Sequence, residues 1–514
     1  MSRTNNSLKN IRYAAFFKLA VVLLNFISRR IFTAVLTDAY LGLNGTFANI
    51  LSMLSLAELG VGTAITYSMY KPIAEHDEEQ LLGLMALYRR FYWIIGVVIA
   101  ILGAGLTPFL PVLIHDHAAL NVPHIQLIYL LFVFDSALSY FFVYKQSIIT
   151  ADQKQYIVTF YQNVILILSV IAQIVFLLVT KNYFVFLGIK IAGTFLTNLL
   201  LARKANQLYP FLKEQRNAIL PAETRTTISK NIRATLMHKI GSVVVFETDN
   251  FLIMYFIGAI AVGFYNNYLM ITQGLMNVIT MVFRSLTASV GNLCAEEDKA
   301  HAREVFWKLD FFTRWIYGFC AICLLVLINH FIGSIWLRKE RYLFAFSIVL
   351  LICMNFYLTG MRQGVLTFRD AMGLYWYDRH KPIAESLINL GVSIALAKPF
   401  GIAGIFIGTF VSSITTCCWI EPYILFKHGF QSSSKPYFRK YAIHTIATAA
   451  IGCATWALCS LLPSARFLPF VGKLMICAII PNLGYYLVYG RTEEFRYAVN
   501  LIKSRLNRYL KKAS

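Results

Sequence analysis

The stretch Lys9-Asn10-Ile11-Arg12 recurs as Lys230-Asn231-Ile232-Arg233, and this recurrence decides how the fold is interpreted. At the same offset of 221 residues Gly42 aligns with Gly263. We count 15 identities between residues 9–77 and the residues 221 positions later. The best-matched positions are polar, which chance similarity between apolar segments does not explain. A duplication of this length predicts two related helical lobes, the arrangement of many transporters.

The composition indicates that much of this chain lies in a lipid bilayer. Of its 514 residues 58% are hydrophobic and only 14% are charged, so the apolar runs must lie in a bilayer. The nine cysteines lie almost entirely within apolar runs, where packing explains them better than metal or disulfide chemistry. The net charge of +22 is spread over many loops, which favours anionic inner-leaflet lipid over nucleic acid as the partner. The sequence predicts an all-α, polytopic membrane protein without a metal or cofactor.

Turn signals and charge clusters divide the chain into fourteen predicted spans, each long enough to cross a hydrocarbon core of about 30 Å. The spans lie near residues 13–36, 43–69, 91–114, 125–149, 156–180, 183–202, 234–257, 262–290, 309–333, 342–366, 382–398, 401–426, 441–462 and 467–489. The predicted organisation is an N-lobe at 1–202, a cytoplasmic linker at 203–233, a C-lobe at 234–428, spans thirteen and fourteen within 429–490, and a basic tail at 491–514.

Lysine and arginine fix the predicted orientation. With the N-terminus inside, most of the 47 basic residues fall in cytoplasmic segments, as the positive-inside rule requires. Both termini are then cytoplasmic. Six spans separate the two copies of the repeat, so we expect parallel lobes related by a rotation of about 180° around the membrane normal.

Two polar stripes are the predicted substrate-binding surfaces. At about 100° per residue, each set of side chains falls within roughly 20° of one line on its helix. The stripes comprise Lys18, Asn25 and Arg29 on span one, beside Arg30, and Asn266, Gln273, Asn277 and Arg284 on span eight. A lipid-facing helix would carry such groups at a cost of about 2.5–3.5 kcal/mol for each mid-bilayer charge, so both stripes should line a wet cavity. Snorkelling to the interface is the alternative for Lys18, Arg284 and Arg314.

Four acidic residues within the spans are the candidates for ion coupling or gating: Glu58, Asp135, Glu247 and Asp249. Such carboxylates either pair with buried cations or take up a proton or a sodium ion, and both uses stay open here. The repeat places Asp249 opposite Ser28, next to Arg29, so an ion pair across the lobes is geometrically feasible.

The tail is predicted to be an amphipathic helix that lies on the membrane. Its apolar face is formed by Phe495, Val499, Ile502, Leu506 and Tyr509, and basic residues oppose that face.

Several segments resemble bacterial polysaccharide repeat-unit flippases of the multidrug/oligosaccharidyl-lipid/polysaccharide (MOP) flippase superfamily. The resemblance covers essentially the whole chain. It is densest in Phe26-Ile-Ser-Arg-Arg-Ile-Phe32, Tyr40-Leu-Gly-Leu-Asn-Gly45, Ile50-Leu-Ser-Met-Leu-Ser-Leu-Ala-Glu-Leu-Gly60, Tyr70-Lys-Pro-Ile-Ala-Glu75, Thr248-Asp-Asn250 and Ser289-Val-Gly-Asn-Leu293. It implies two six-helix lobes around a central cavity, with two additional helices at the C-terminal end.

The resemblance also implies the cargo, an oligosaccharide unit on undecaprenyl diphosphate that is turned from the inner to the outer leaflet of the bacterial plasma membrane. Arg29, Arg30 and Arg284 lie on spans that match helices bearing cavity arginines in the related lipid-linked peptidoglycan precursor flippases. Contact with the polysaccharide polymerase machinery is a further expectation.

Two other functions compete with this interpretation. A membrane glycosyltransferase or polymerase would need catalytic groups on a substantial external loop, whereas the longest predicted one, near residues 115–124, has about ten residues. The cluster of His115, Asp116, His117 and His124 there fits a solvated loop better than a metal or catalytic site. A cation-coupled exporter of amphiphilic small molecules shares the superfamily. Such exporters favour acidic cavities, whereas arginine and lysine lead the stripes here.

Overall fold

The computed structural model describes residues 3–55, 61–114, 116–213, 248–296, 298–463, 467–500 and 503. These residues are almost entirely helical, and the chain is an all-α, multi-pass membrane protein. Ten described helices are long and apolar enough to cross a membrane. They account for predicted spans three to six and nine to fourteen. Predicted spans one, two and eight fall on further helices, and most of span seven lies outside the described residues.

The chain divides into two compact units, Met1–Gly263 and Phe264–Ser514, which we call unit 1 and unit 2. The helices of unit 1 are α1 (Arg3–Val35), α2 (Asp38–Leu54), α3 (Val61–Glu75), α4 (Glu78–Gly105), the short α5 (Leu110–Leu113) and α6 (His117–Leu120), α7 (Ile125–Ala151), α8 (Gln155–Thr180), α9 (Tyr183–Leu208) and α10, described over residues 248–256. The division falls within the first turns of α11 (Ala259–Glu296).

Unit 2 continues with eight further helices and a tail helix. They are α12 (Lys299–His330), α13 (Phe346–Met361), α14 (Gln363–Ala371), α15 (Lys381–Phe400), α16 (Ile402–Ser412), α17 (Cys418–Ile424), α18 (Lys435–Ser460), α19 (Phe467–Tyr489) and the tail helix at 493–500. Three π-helical turns interrupt the regular geometry, at Phe331–Trp336, Ser413–Cys417 and Leu425–Gly429. π-turns are rare and frequently mark functional sites, and two of them flank α17.

The glycines that the repeat aligns lie in backbone contact inside unit 1. A Cβ atom on Gly42 would come within 2.5 Å of the carbonyl oxygen of Ala259, and one on Gly263 within 2.8 Å of the Gly42 amide nitrogen. Such separations exclude any side chain, so glycine is required where α2 crosses the start of α11. Asp116 supports the same crossing, because its carboxylate accepts hydrogen bonds from the backbone amides of Ala118 at 3.0 Å and Ile260 at 3.4 Å.

Small residues also hold the α15–α16 hairpin of unit 2 together. Gly404 and Gly408 are four residues apart, and a Cβ atom on either would come within 2.0 Å of α15, at the Leu396 carbonyl oxygen and the Ser393 hydroxyl. In a bilayer, helices associate through close van der Waals contact and not through water exclusion, which is why a small-xxx-small spacing stabilises this pair.

Each unit has its own apolar core. In unit 1, Leu84, Ile148 and Leu201 are completely buried where α4, α7 and α9 meet. In unit 2, Phe306 lies at the centre of an aromatic cluster that includes Phe368 and Phe426.

The described part of the tail packs on the protein. Phe495 is buried against Phe311, Trp315 and Tyr486, and Ala498 is completely buried beside it. The apolar face predicted to lie on lipid is therefore, at Phe495, a packing face of unit 2. Ile502, Leu506 and Tyr509 lie outside the described residues.

Candidate functional site

The predicted stripe on α1 is only partly on one side of the helix. Arg29 is half-buried and lies on the side of the buried Phe32, whereas Arg30 is exposed on the side of Leu23 and Ile27. Asn25 is exposed, and Lys18 lies on α1 with a side chain outside the described part of the structure. Arg29 and Arg30 therefore have different surroundings.

Arg29 lies within electrostatic range of an aromatic cluster in unit 1. It is close enough to Tyr183 to act electrostatically on the phenol group. The Tyr183 ring contacts Tyr40 at 4.8 Å and Phe186 at 6.0 Å between centroids, and its hydroxyl donates a hydrogen bond to Asn44 Oδ1 at 3.3 Å. This region combines a guanidinium group with aromatic faces and an amide.

The predicted stripe on α11 lies on a face of the helix where the described side chains are exposed or half-buried. Gln273 and Asn277 are exposed and Asn266 is half-buried, whereas buried residues such as Phe283 lie on another side. Arg284 lies on the same helix, with a side chain outside the described part.

Among the acidic candidates, Asp135 forms an ion pair with a lysine. Its carboxylate is buried on α7 and forms an ion pair with Lys190 of α9, with 3.2 Å between Oδ2 and Nζ. The lysine ammonium also lies 4.5 Å from the centroid of the Phe132 ring. Asp249 is half-buried on α10, and Glu58 and Glu247 lie outside the described residues.

A cavity of about 400 Å³ lies between α7, α8 and α9, and we call it the α7–α9 cavity. Nine of its thirteen lining residues are polar. They are Ser139 and Gln146 on α7, Gln162, Ser169 and Gln173 on α8, and Lys190, Thr194, Thr197 and Asn198 on α9. Within each helix the spacing of these residues returns to one face, so three membrane helices direct polar groups to a shared interior.

An amide relay crosses this cavity. Gln162 Nε2 donates to Gln146 Oε1 at 3.1 Å, and Gln146 Nε2 donates to Asn198 Oδ1 at 2.9 Å. Gln146 and Asn198 are more than nine-tenths buried. The relay connects all three helices and ends on the Gln162 carbonyl oxygen and the Asn198 amide group.

Unit 2 contains a buried ion network centred on Glu421 of α17, a residue with no exposed surface. Arg362 binds its carboxylate through two nitrogens, with Nε–Oε2 at 2.9 Å and Nη2–Oε1 at 2.6 Å. Lys381 at the start of α15 donates to the same carboxylate. A bidentate arginine with a second cation is a strong arrangement for a buried anion.

The same network extends along α14 and α15. Arg369 contacts Asp378 at 2.5 Å and Asp370 at 2.9 Å, and Glu385 lies 3.7 Å from Arg362. Every charged group of the network therefore has an opposite charge within 4 Å.

A smaller cavity of about 170 Å³ lies between α12, α18, α19 and the residues around the start of the tail helix. Asp310 and Arg314 form an ion pair at 2.7 Å on its wall, and the guanidinium carbon lies 4.8 Å from the Tyr437 ring centroid. On its rim, Lys440 contacts Glu494 at 2.7 Å. Burial pushes the pKa of Glu494 upward, but the hydrogen bond from Lys440, a backbone hydrogen bond and the charges of Lys440 and Arg314 together outweigh burial, so the net effect is a lowered pKa.

Within the residues that the structure describes, no group of three or more His, Cys, Asp or Glu side chains could hold a metal ion.

Sequence reasoning selected Asp135 but omitted Asp310, Glu385 and Glu421, which also lie within predicted spans. It also omitted the polar faces of α7–α9, which consist mostly of uncharged residues, whereas each predicted stripe contains an arginine. The signal was present: Gln162, Ser169 and Gln173 are spaced 7 and 4 residues apart on an otherwise apolar helix.

By sequence, no protein-family model and no curated protein matches this chain. Solved structures match it by fold. The lipid II flippase MurJ, in an inward closed conformation, aligns with a TM-score of 0.62 and 12% identity, over 93% of this chain and 99% of that chain. An inward-facing MATE-family multidrug resistance transporter of the MOP superfamily aligns with a TM-score of 0.57 and 14% identity, over 80% and 98% of the two chains.

The chain has the fold of MOP-superfamily transporters. A mutant of the MATE transporter VcmN of Vibrio cholerae also aligns, with a TM-score of 0.53 and 12% identity, over 84% of this chain and 99% of that chain. At these identities the likeness establishes the MOP fold, and the cargo has to be argued from the side chains.

Proposed function

We propose that this protein is a flippase that moves undecaprenyl-diphosphate-linked oligosaccharide repeat units from the inner to the outer leaflet of the bacterial plasma membrane. Two lobes alternate in access to a shared pathway, and surface polysaccharide biosynthesis consumes the product. The protein performs no bond chemistry, so it needs neither a catalytic residue nor a cofactor. Its termini are cytoplasmic, and anionic lipids surround its basic loops.

The observation that carries the proposal is the charge of the polar groups in unit 1. Asp135 is neutralised by Lys190, and Arg29 places a positive charge within electrostatic range of Tyr183. An exporter of lipophilic cations favours an acidic site, whereas a diphosphate needs arginine or lysine. The aromatic rings supply faces on which sugars can stack.

The fold match with the flippase extends over more of this chain than the matches with the two exporters do. The flippase MurJ aligns over 93% of this chain, whereas the two MATE structures align over 80% and 84%. A flippase fold therefore accounts for more of the molecule than an exporter fold does.

The residues of the two stripes receive roles in this proposal. Positive groups hold the diphosphate, amides hold sugar hydroxyls, and carboxylates couple a proton or sodium ion or form the gate. The diphosphate group is assigned to Arg29, Arg30, Lys18 and Arg284, the amides are Asn25, Asn266, Gln273 and Asn277, and the carboxylates are Glu58, Asp135, Glu247 and Asp249.

The decisive experiment removes the gene from its host and measures lipid-linked intermediates together with surface polysaccharide. We expect complete undecaprenyl-linked repeat units to accumulate on the cytoplasmic side and surface polysaccharide to decrease. Normal surface glycan together with increased sensitivity to cationic dyes would instead identify the exporter and overturn the proposal.

Arg29→Ala tests the diphosphate site. We expect flipping to fall at least tenfold at unchanged abundance, because a buried charge-assisted contact is worth about 1.5–3 kcal/mol. Arg29→Lys should retain part of the activity, since lysine supplies the charge but not the bidentate geometry. The control is Arg379→Ala, which removes an exposed arginine from unit 2. Full transport by Arg29→Ala would remove this residue from the site.

The proposed gate pairs Arg29 or Arg30 with Asp249 in one conformation, so that cargo or a proton competes for the pair. The charge-swapped double variant Arg29→Asp with Asp249→Arg should be more active than either single variant. Activity no higher than that of the weaker single variant would contradict a direct pair and would favour a local polar network around Asp249.

A further inference from the structure

We propose that the α7–α9 cavity is a binding site for an uncharged sugar ring of the transported oligosaccharide. The inference rests on the proposed function and adds to it the chemical class of sugar that unit 1 accepts. The two stripes lie on α1 and α11, whereas this cavity lies between α7, α8 and α9, so it shares no residue with the groups assigned to the diphosphate.

The polarity of the cavity is the first step of the argument. Pockets for drug-like ligands have volumes of about 300–1,000 Å³ and mostly apolar walls. This cavity, at about 400 Å³, has a volume within that range and a mostly apolar wall area, and nine of its thirteen lining residues carry polar side-chain groups. Polar groups inside a membrane helix bundle are costly and mark functional paths, and here three helices supply them together.

The hydrogen-bonding pattern suits sugar hydroxyl groups. The hydroxyls of Ser139, Thr194 and Thr197 donate to backbone carbonyls of their own helices, at 2.7, 3.3 and 2.8 Å. Their oxygen lone pairs therefore remain available as acceptors toward the cavity. A sugar hydroxyl can donate to such an oxygen and accept from an amide in the same contact.

The amide relay supplies the complementary groups. Because Gln162 donates to Gln146 and Gln146 donates to Asn198, the relay ends on a carbonyl acceptor at Gln162 and an amide donor at Asn198. In the part of the chain that the structure describes, these two end atoms have no protein partner. The relay also fixes both amides in position, which lowers the entropy lost when a ligand binds.

The charges in and beside the cavity favour an uncharged sugar ring. Lys190 is its only charged lining residue among those described, and Asp135 compensates that charge at 3.2 Å. An acidic sugar would have to compete with Asp135 for the ammonium group, and a lipophilic cation would meet Lys190. A neutral hexose or an N-acetylated amino sugar meets neither penalty.

The test uses the full-length protein in lipid nanodiscs and a diazirine-bearing methyl glucoside as photoaffinity probe. Mass spectrometry of the labelled peptides should locate the probe on α7, α8 and α9, and excess methyl glucoside or N-acetylglucosamine should compete with it. Glucuronate and tetraphenylphosphonium should compete at least tenfold less well. Labelling outside these helices, or stronger competition by tetraphenylphosphonium, would overturn the proposal.

The double variant Gln146→Leu with Asn198→Leu should label about tenfold less, because the lost hydrogen bonds together are worth about a factor of ten. Asn163→Leu is the matched control: Asn163 lies on α8 next to Gln162, but its amide donates to the Thr159 carbonyl oxygen and does not line the cavity. If the double variant does not fold, Thr194→Val keeps the shape of the side chain and removes one acceptor, and its labelling should fall about threefold. Wild-type labelling by the folded variant would contradict the site.

Transport separates this proposal from the proposed function. If the double variant flips every cargo as the wild type does while Arg29→Ala is inactive, the sugar site is wrong and the flippase stands. If deletion of the gene leaves surface polysaccharide unchanged, the flippase is wrong, whatever the labelling shows.

Discussion

The α7–α9 cavity of unit 1 and the Glu421 network of unit 2 are both polar interiors in membrane helices, but they are built differently. The cavity is mostly neutral and leaves hydrogen-bonding groups available, at Gln162 and Asn198 for example. The network is ionic and closes on itself: Glu421 is fully buried and is bound by Arg362 and Lys381. The difference fits the proposal that unit 1 offers polar groups to a ligand, whereas the ion network of unit 2 links α14, α15 and α17.

The position of the network agrees with this division. It joins α14, α15 and α17 close to the π-turns that flank α17, where regular helix packing is interrupted. A π-turn interrupts the regular i to i−4 hydrogen bonds of an α-helix. Ion pairs between side chains can restrain such a segment.

The largest effect should come from breaking the network. Glu421→Gln leaves Arg362 and Lys381 without the charge that neutralises them in a buried position, and removal of one member of a buried ion pair costs about 3–5 kcal/mol. We expect a marked decrease in the thermal unfolding midpoint of the purified protein in lipid nanodiscs. A cavity variant such as Thr194→Val should lower the midpoint far less.

The control for this experiment is the ion pair between Glu304 and Lys308, which lies one turn apart on α12. Glu304 is exposed, and exposed pairs contribute little to stability. Glu304→Gln should leave the unfolding midpoint almost unchanged. If Glu421→Gln had an equally small effect, the network would not be structural and the contrast between the units would fail.

The ion pair of Asp135 and Lys190 tests whether unit 1 also contains a structural charge pair. Asp135→Asn and Lys190→Gln each leave one charge uncompensated, so each single variant should be less stable and less active. The double variant removes both charges with similar shapes and should regain stability, because neither charge is then left without its partner.

Transport by this double variant then separates structure from coupling. If Asp135 serves only to neutralise Lys190, the double variant should flip at least half as fast as the wild type. A stable but inactive double variant would show that Asp135 carries the coupling ion. The contrast between a mostly neutral polar interior in unit 1 and an ionic one in unit 2 would then need revision.

The sequence predicted the helical, membrane-spanning fold for two reasons. Long apolar runs match the thickness of a bilayer, and inside the bilayer every backbone N–H and C=O group needs a hydrogen-bond partner, which a helix supplies. It also predicted Asp135 as a buried carboxylate, since an acidic residue in an apolar run is conspicuous. The repeat pointed to Gly42 and Gly263, and the structure places these two glycines in backbone contact.

The partners of buried charges could not be predicted in the same way. Arg362 and Glu421 are 59 residues apart, and the three members of the amide relay lie on three helices. Helical periodicity states which residues share a face but not which helix that face meets. The π-turns on either side of Glu421 add a further obstacle, because they shift the register on which periodicity depends.

The tail shows the same limitation. Its amphipathic pattern correctly identified Phe495 as an apolar-face residue, but such a pattern does not distinguish a lipid surface from an aromatic pocket on the protein itself. The structure buries Phe495 against Phe311 and Trp315.

The smallest expected effect concerns Glu494, whose pair with Lys440 on the rim of unit 2 contrasts with the fully buried Glu421. The pKa of Glu494 is lowered in the folded protein, so its contribution is present above the usual glutamate pKa and is lost as the pH falls through the folded pKa. We expect residues 493–500 to exchange amide hydrogens several-fold faster once the pH has fallen below this lowered pKa than at pH 7, after correction for intrinsic exchange. Glu494→Gln should already show the faster exchange at pH 7 and should change little with pH. If wild type and variant responded to pH in the same way, another group would hold the tail helix, and the aromatic packing of Phe495 would be the first interaction to test, by Phe495→Ala.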